Sequence, residues 1–148
     1  LEISALNIFA RPSQESVKSL LKACALPTED LSASHFEHFF GCGPAHDPQG
    51  VVGIELHGKA ALLRSLAVME ASRGHGCGTQ LVAEAERHAR ESGAIEVYLL
   101  TSTARTLFES LGYRIVERSE APESIRSTKE FSSLCPASAA FMVKRLAA

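Results

Sequence analysis

No run of this sequence approaches the roughly 18 consecutive apolar residues that a membrane-spanning helix needs. Charge of one sign is also lacking. The net charge is −2, which gives no electrostatic footprint for nucleic acid or for an anionic membrane, so neither is an expected partner. No Cys-x-x-Cys pair occurs. The four cysteines, Cys24, Cys42, Cys77 and Cys135, are irregularly spaced, which argues against a disulfide framework in a chain of this size and makes a reducing cytoplasm the expected compartment. No signal-peptide or lipidation pattern, internal repeat or low-complexity tract is visible. What is present is an ordinary globular balance: 45% hydrophobic and 22% charged residues over 148 positions, enough for one domain with a sizeable core.

Apolar spacing divides the chain into elements. The segment EISALNIFA reads as a first strand. Val17, Leu20, Leu21 and Cys24 recur at helical spacing behind Ser13, a natural N-cap. A short helix follows TEDL, and HFFGCG could end it or begin a strand. Gly41 to Gly50, rich in Gly and Pro, reads as a hairpin loop. VVGIELHG is strand-like, with His57-Gly58-Lys59 as a turn. Ala60 to Val68, apolar apart from Arg64 and Ser65, suits a central strand covered on both faces. Gln80 to Ser92 is an amphipathic helix with Gly93 at its C-terminal cap. Ala94 to Thr101 is a strand, TARTLFESLGY a short helix, and Arg114 to Arg118 a short strand. A helix is expected from Pro122 to about Leu134, and SAAFMVKRL closes the chain as a strand. This order predicts an α/β (α+β) fold, a mixed sheet with helices on both faces.

Between the central strand and the long helix lies SRGHGCGT, Ser72 to Thr79. Glycines at 74, 76 and 78 permit positive φ, and a helix N-terminus presents free N–H groups, so the segment suits an anion such as phosphate. A P-loop would need Gly-Lys-Ser/Thr where Gly78-Thr79-Gln80 stands. The dinucleotide fingerprint G-x-G-x-x-G is broken by Thr79 or Leu81 at its last position. Arg-x-x-Gly-x-Gly is met by Arg73, Gly76 and Gly78. The bland alternative is a glycine-rich turn that binds nothing.

This third pattern resembles the pyrophosphate loop of the GNAT superfamily of acetyl-CoA-dependent N-acetyltransferases. SLAVMEASRGHGCG, EVYLLT and LFESLGYR follow one another in the order and spacing of that family. The resemblance implies one N-acetyltransferase domain over residues 1–148, with a mostly antiparallel twisted sheet. It implies acetyl-CoA as co-substrate, no metal, and a small-molecule amine as acceptor, and it allows a homodimer. Leu66, Ala67 and Val68 would pair with the pantetheine arm, one of their N–H groups facing the thioester oxygen, although simple core packing accounts for these side chains too. Arg73, Gly74, His75, Gly76, Cys77, Gly78 and Thr79 would cradle the pyrophosphate. Phe108 stands where the family often has an acid tyrosine, and Thr101-Ser102-Thr103 where it often has an asparagine, so these hydroxyls could hold water or CoA, and the resemblance implies Thr101 and Phe108 as coenzyme contacts. ALLRSLAV, YLLTSTA and IRSTKEFSSLCPASAAFMV are similar to a bacterial subgroup associated with arsenic-resistance operons, which implies detoxification of an amino-acid-like toxicant.

Two residues stand out on chemical grounds. Glu55, a carboxylate among apolar neighbours, could take the amine proton as general base, or could point to solvent on an alternating strand. Arg64 inside an apolar strand needs an anion, either a substrate carboxylate or oxyanion or an internal acid such as Glu55. Arg126 reads as a solvated surface arginine. His35, His38, Cys42 and His46 have a loose metal-like spacing that fits no standard zinc pattern. Cys135 reads as an inert packing thiol. Cys77 fills space beneath the helix or, alternatively, takes part in acyl transfer. Two function classes follow: an N-acetyltransferase, and a non-catalytic sensor of acyl-CoA on the same fold.

Overall fold

A computed structural model describes residues 7–134 and 138–146. The elements in chain order are β1 (Ile8–Ala10), α1 (Gln14–Ala23), α2 (Ala33–Phe36), β2 (Phe39–Cys42), β3 (Gly50–His57), β4 (Ala60–Val68), α3 (Cys77–Glu91), β5 (Glu96–Thr101), α4 (Arg105–Ser110), β6 (Arg114–Ile115), α5 (Glu123–Arg126), a π-helical turn (Glu130–Leu134) and β7 (Ala140–Arg145). The strands form one seven-stranded sheet in the order β1-β2-β3-β4-β5-β7-β6, so β4 is the middle strand. β4 pairs with β5 in parallel, while β1–β2, β2–β3, β5–β7 and β6–β7 are antiparallel. The expected mixed, mostly antiparallel α/β fold is therefore present. No helix among the described residues is long and apolar enough to cross a membrane.

Contacts cluster into two compact units. One holds the residues up to Gly53 together with Ser65–Ala85, and the other holds Ile54–Arg64 together with the residues from Glu86 on. In the first, Val17, Leu20 and Leu21 of α1 pack with Phe36, Phe39, Val51 and Ala67. Helix α1 begins at Ser13 as expected, the Ser16 amide donating to the Ser13 hydroxyl oxygen at 3.1 Å. In the second, Leu62, Tyr98, Leu100, Ile125, Phe141 and Val143 make the core, with Tyr98 stacked on Phe141.

Gly41, Cys42 and Gly50, read as loop, belong to β2 and β3, and three further elements differ from expectation. Helix α3 begins at Cys77, three residues before Gln80, because the first intrahelical bond runs from the Gln80 amide to the Gly76 carbonyl at 3.0 Å. Gly76 is thus the N-cap, and Gly78, read as loop, is helical. The other end is as expected. Gly93 has φ +101°, its amide donates to Arg90, and the Ala94 amide donates to Ala89, a Schellman closure. The helix expected from Pro122 to Leu134 is broken in two. The Ser127 hydroxyl bonds the Glu123 carbonyl, and the Thr128 hydroxyl bonds the Ile125 carbonyl while accepting from the Phe131 amide. The Thr128 hydroxyl takes a carbonyl and an amide that a continuous helix would pair with its own backbone, while the Ser127 amide still donates to the Glu123 carbonyl. Strand β6 keeps only Arg114–Ile115, since the chain turns into a 3₁₀ segment at Arg118, whose guanidinium donates to the Ala139 carbonyl. Residues 1–6 of the expected first strand, and Cys135, lie outside the described residues.

Candidate active site

The middle strand carries an irregularity. β3 has 8 residues and β4 has 9, although a two-residue turn, Gly58-Lys59, joins them at one end and the Met69 amide meets the Gln49 carbonyl at the other. The extra residue is Ser65, which takes φ +59° inside the strand. A non-glycine residue there marks a β-bulge, which bends the strand. The register of β4 with β5 runs from Ala60–Leu62 to Glu96–Tyr98, whereas all six residues of β5 pair with β7. The β4 segment Leu66–Val68 thus follows a bulge and lies past that parallel ladder.

In the first unit, β4 runs into the glycine loop. Arg73 is held at the loop's start, its Nε donating to the Val68 carbonyl at 3.0 Å and its Nη2 standing 3.9 Å from the Cys24 Sγ. The Ser72 hydroxyl donates to the Gln49 side-chain oxygen. Gly74 and Gly76 have φ of +83° and +88°, and a methyl at either would meet no heavy atom within 4 Å. Positive φ, and not crowding within the protein, therefore explains these two glycines. Arg73, Gly74, His75, Gly76 and Thr79 are exposed and Gly78 is half-buried. Helix α3 begins within this stretch, so the amides of Cys77, Gly78 and Thr79 lie in a first turn that offers no intrahelical acceptor. An exposed bend of positive-φ glycines leading into a fifteen-residue helix fits the pyrophosphate of a coenzyme.

Cys77 turns the other way. It is buried beside Cys42, and a methyl on Gly50 would lie 2.5 Å from its Sγ. Burial first, then the hydrogen bond with Cys42, pushes the Cys77 thiol up to about 12. At neutral pH it is a thiol and a weak nucleophile, which favours packing over acyl transfer. Cys42 is buried while His46 is exposed, and His35 Nδ1 accepts the Ser32 amide in the cap of α2. Those residues form no ligand group with His38 among the described residues.

In the second unit, the Arg64 guanidinium, 1% exposed, is enclosed by acids. Its Nη1 donates to Glu55 Oε2 at 2.9 Å, and its Nη2 lies 3.4 Å from Glu130 Oε1. The second oxygen of Glu55 bonds His57 Nε2 at 3.0 Å. Glu55 and His57 are two apart on β3, so they share one face of the strand. Exposure rises along the chain of contacts, from Arg64 through Glu55 at 12% to His57 at 27%. Two carboxylates and one guanidinium leave one negative charge when the imidazole is neutral. Of the two readings of Arg64, the internal ion pair has its geometry here.

Thr101 and Phe108 are also in this unit. The Thr101 hydroxyl accepts the Ala104 amide at 2.9 Å at the start of α4. Phe108 is buried, its ring edge-on to Tyr113 at 5.4 Å. The Tyr113 hydroxyl donates to Glu86 at 2.8 Å, and Lys144 Nζ donates to the same carboxylate at 3.0 Å. Burial, then the Glu86 charge, pushes the Tyr113 phenol far above its usual range. Burial and Glu96 likewise push Tyr98 up to about 12. Neither phenol is poised to give up its proton near neutrality. Arg126 is on the surface beside Glu123.

A family profile described as an acetyltransferase (GNAT) domain matches residues 36–115, more than half of the chain. The chain belongs to the GNAT acetyltransferase family. Over 67 residues it is 40% identical to an uncharacterized N-acetyltransferase of Chlorobaculum tepidum; this match covers 45% of the chain and 43% of that protein, less than half of either. Among solved structures, N-acetylglutamate synthase from Neisseria gonorrhoeae, in complex with coenzyme A and N-acetyl-glutamate, superposes with a TM-score of 0.84 at 17% identity. It covers 98% of this chain, which in turn spans only 36% of that protein. The Mycobacterium tuberculosis protein Rv2747, solved with CoA, gives a TM-score of 0.79 at 20% identity, covering 97% of this chain and 100% of that one. At these identities the likeness is one of fold.

The matched stretch spans β2 to β6 and so holds Glu55, Arg64, the bulged strand and the loop. Sequence reasoning missed three participants. Glu130 is 66 residues from Arg64, and its segment reads as ordinary helix. His57 reads as a turn residue, although its spacing of two from Glu55 was a signal. Glu86 lies on the buried stripe of α3 and finds its partners only through the fold.

Proposed function

We propose that residues 1–148 work as a single cytoplasmic acetyl-CoA-dependent N-acetyltransferase, whose acceptor is the amine of a small, amino-acid-like molecule. One observation carries the reading: the exposed, positive-φ loop from Arg73 to Thr79, set between a bulged middle strand and the first turn of α3. Its amides and Arg73 would hold the pyrophosphate, and the backbone of Leu66, Ala67 and Val68 would line the pantetheine arm. When bound, the coenzyme supplies a thioester carbon for the amine to attack. The protein positions the two reactants, which can account for much of the acceleration, and an N–H of β4 meets the developing oxyanion. Glu55 belongs to the machinery that takes the amine proton, and Arg64 fixes it. Thr101 and Phe108 shape the start of α4 alongside. The sequence likeness to arsenic-resistance acetyltransferases extends the proposal to toxic analogues of amino acids as acceptors.

A second reading, a sensor that binds acyl-CoA without turnover, is favoured by one fact. Phe108 occupies the usual tyrosine position, and Tyr98 and Tyr113 are tied to Glu96 and Glu86. Calorimetric titration with acetyl-CoA, followed by free-thiol release with amino acids and their phosphinic and arsinic analogues, separates the two. Binding with release establishes the enzyme. Binding without release across the panel supports the sensor, and absence of binding rejects the loop assignment.

A further inference from the structure

The hydrogen-bond chain of the second unit assigns the proton-accepting role to a different atom from the one the sequence suggests. Both oxygens of Glu55 are engaged, one by Arg64 at 2.9 Å and the other by His57 at 3.0 Å. An ionised carboxylate only accepts, so His57 Nε2 must carry the hydrogen. That fixes the tautomer and leaves the lone pair on Nδ1. The ring makes no other bond among the described residues, and it is the most exposed member of the chain. A carboxylate that orients an imidazole through one nitrogen, so that the other nitrogen accepts a proton, is the arrangement found in hydrolytic triads; here the carboxylate is half-buried. Here Arg64 fixes the carboxylate in turn, and Glu130 balances Arg64 from the far side.

We propose that His57 is the general base of this enzyme, with Glu55 as the residue that positions it and Arg64 as the anchor of Glu55. The proposal rests on the acetyltransfer reading above and deepens it. The acceptor arrives as an ammonium. One proton passes to His57 Nδ1, giving a free amine and an imidazolium. The amine nitrogen attacks the thioester carbon, the N–C bond forms and the C–S bond breaks. A second proton from nitrogen goes to the departing thiolate, and the third stays on the amide. The imidazolium returns its proton to water from its half-exposed position. Imidazole is the side chain most often used as a general base. The charged groups behind the ring include Glu55 on its own strand, Arg64 on β4 and Glu130 on the π-helical turn.

Two measurements test it. Nitrogen-15 NMR of the imidazole rings in the free protein at pH 8 should show His57 as the Nε2–H tautomer; an Nδ1–H tautomer overturns the proposal without any substrate being known. The second is the pH profile of kcat/KM, from thiol release with acetyl-CoA and L-glutamate, L-glutamine and L-methionine as acceptors. The wild type should rise with pH to an inflection that reports the base. His57→Gln should lose that inflection and about 10²-fold or more in kcat, with the calorimetric Kd for acetyl-CoA unchanged. Glu55→Gln should keep the inflection at a reduced rate, because the ring remains but is no longer held. His57→Gln with its inflection intact and its rate within threefold of wild type places the base elsewhere. Failure of wild type to bind acetyl-CoA rejects the acetyltransfer reading instead, and the tautomer then decides the His57–Glu55 geometry on its own.

Discussion

Replacing Arg64 by Met removes the buried cation and keeps most of the side chain's volume. Glu55 and Glu130 are then left 12% and 6% exposed without the charge that faced both of them. Breaking a buried ion pair by deleting one partner costs about 3–5 kcal/mol, because the remaining charge has lost its compensation. For a chain of 148 residues the unfolding entropy is about 0.3 kcal/mol per kelvin, so the melting temperature should fall by roughly 10–16 °C. A built-in control is Arg87→Met. The Arg87–Glu91 pair is shorter, at 2.7 Å, but both side chains are more than half exposed. Such a pair is worth about 0.5 kcal/mol and its loss should move the melt by only about 2 °C. Adding Glu130→Gln to Arg64→Met should recover part of the loss, since it removes a carboxylate that no longer has its cation. The assay is thermal unfolding followed by circular dichroism at pH 7 on the four chains. An Arg64→Met protein that melts within about 3 °C of wild type would refute the claim that this ion cluster is buried and balanced as described.

Three further outcomes are expected. Gly76→Ala adds a methyl that touches nothing within 4 Å, so its stability cost should be only the roughly 1–2 kcal/mol of positive φ. Acetyl-CoA affinity should nevertheless fall about tenfold or more as the methyl enters the anion face, and an unchanged calorimetric Kd counts against the loop. Gly50→Ala would place its methyl 2.5 Å from Cys77 Sγ, 3.1 Å from Leu81 and 3.3 Å from the Ala67 carbonyl; urea titration should show a loss of about 1–3 kcal/mol, part of it restored by Cys77→Ala. Stability should decline in alkali. Folding raises Cys77 from 9.0 and Tyr98 from 10.0, each to about 12, and it raises Tyr113 further, so the unfolded chain loses these protons first. The contribution is complete below pH 9 and is lost upward from there, and Cys77→Ala should flatten the first part of the decline between pH 9 and 10. Equal slopes in both proteins would show that the thiol is not shifted.

Much of the fold can be read from local pattern because local pattern creates it. The apolar run Ala60 to Val68 is β4 to the residue, since a strand buried on both faces leaves no room for alternation. Ser13 and Gly93 bound their helices because each satisfies backbone groups that the helix itself cannot. The misreadings share one cause, a competition that a propensity pattern does not contain. Gly78 looks like loop, yet helix α3 tolerates it one residue after its start. Thr128 looks compatible with helix, yet its hydroxyl bonds the Ile125 carbonyl and the Phe131 amide and divides it. The bulge at Ser65 leaves only a faint mark, a serine beside an arginine in an otherwise apolar run.

The candidate site divides along the same line. A phosphate-binding loop works through consecutive amides, so the surface proposed here lies within eight residues, Ser72 to Thr79, and its glycines appear directly in the sequence. The ion cluster works through side chains from three elements. Glu55 and Arg64 are nine residues apart across one hairpin, close enough for sequence reasoning to name them as potential partners. Glu130 reaches Arg64 only because a helix breaks at Thr128 and re-forms as a π-helical turn carrying the carboxylate. Arginine in a buried strand announced that a compensating charge had to exist, because an unpaired one would be untenable. It could not announce that there would be two. The second carboxylate changes the balance: two acids now face one guanidinium, and the proposal that His57 takes a proton from a cationic amine draws on that excess of acid.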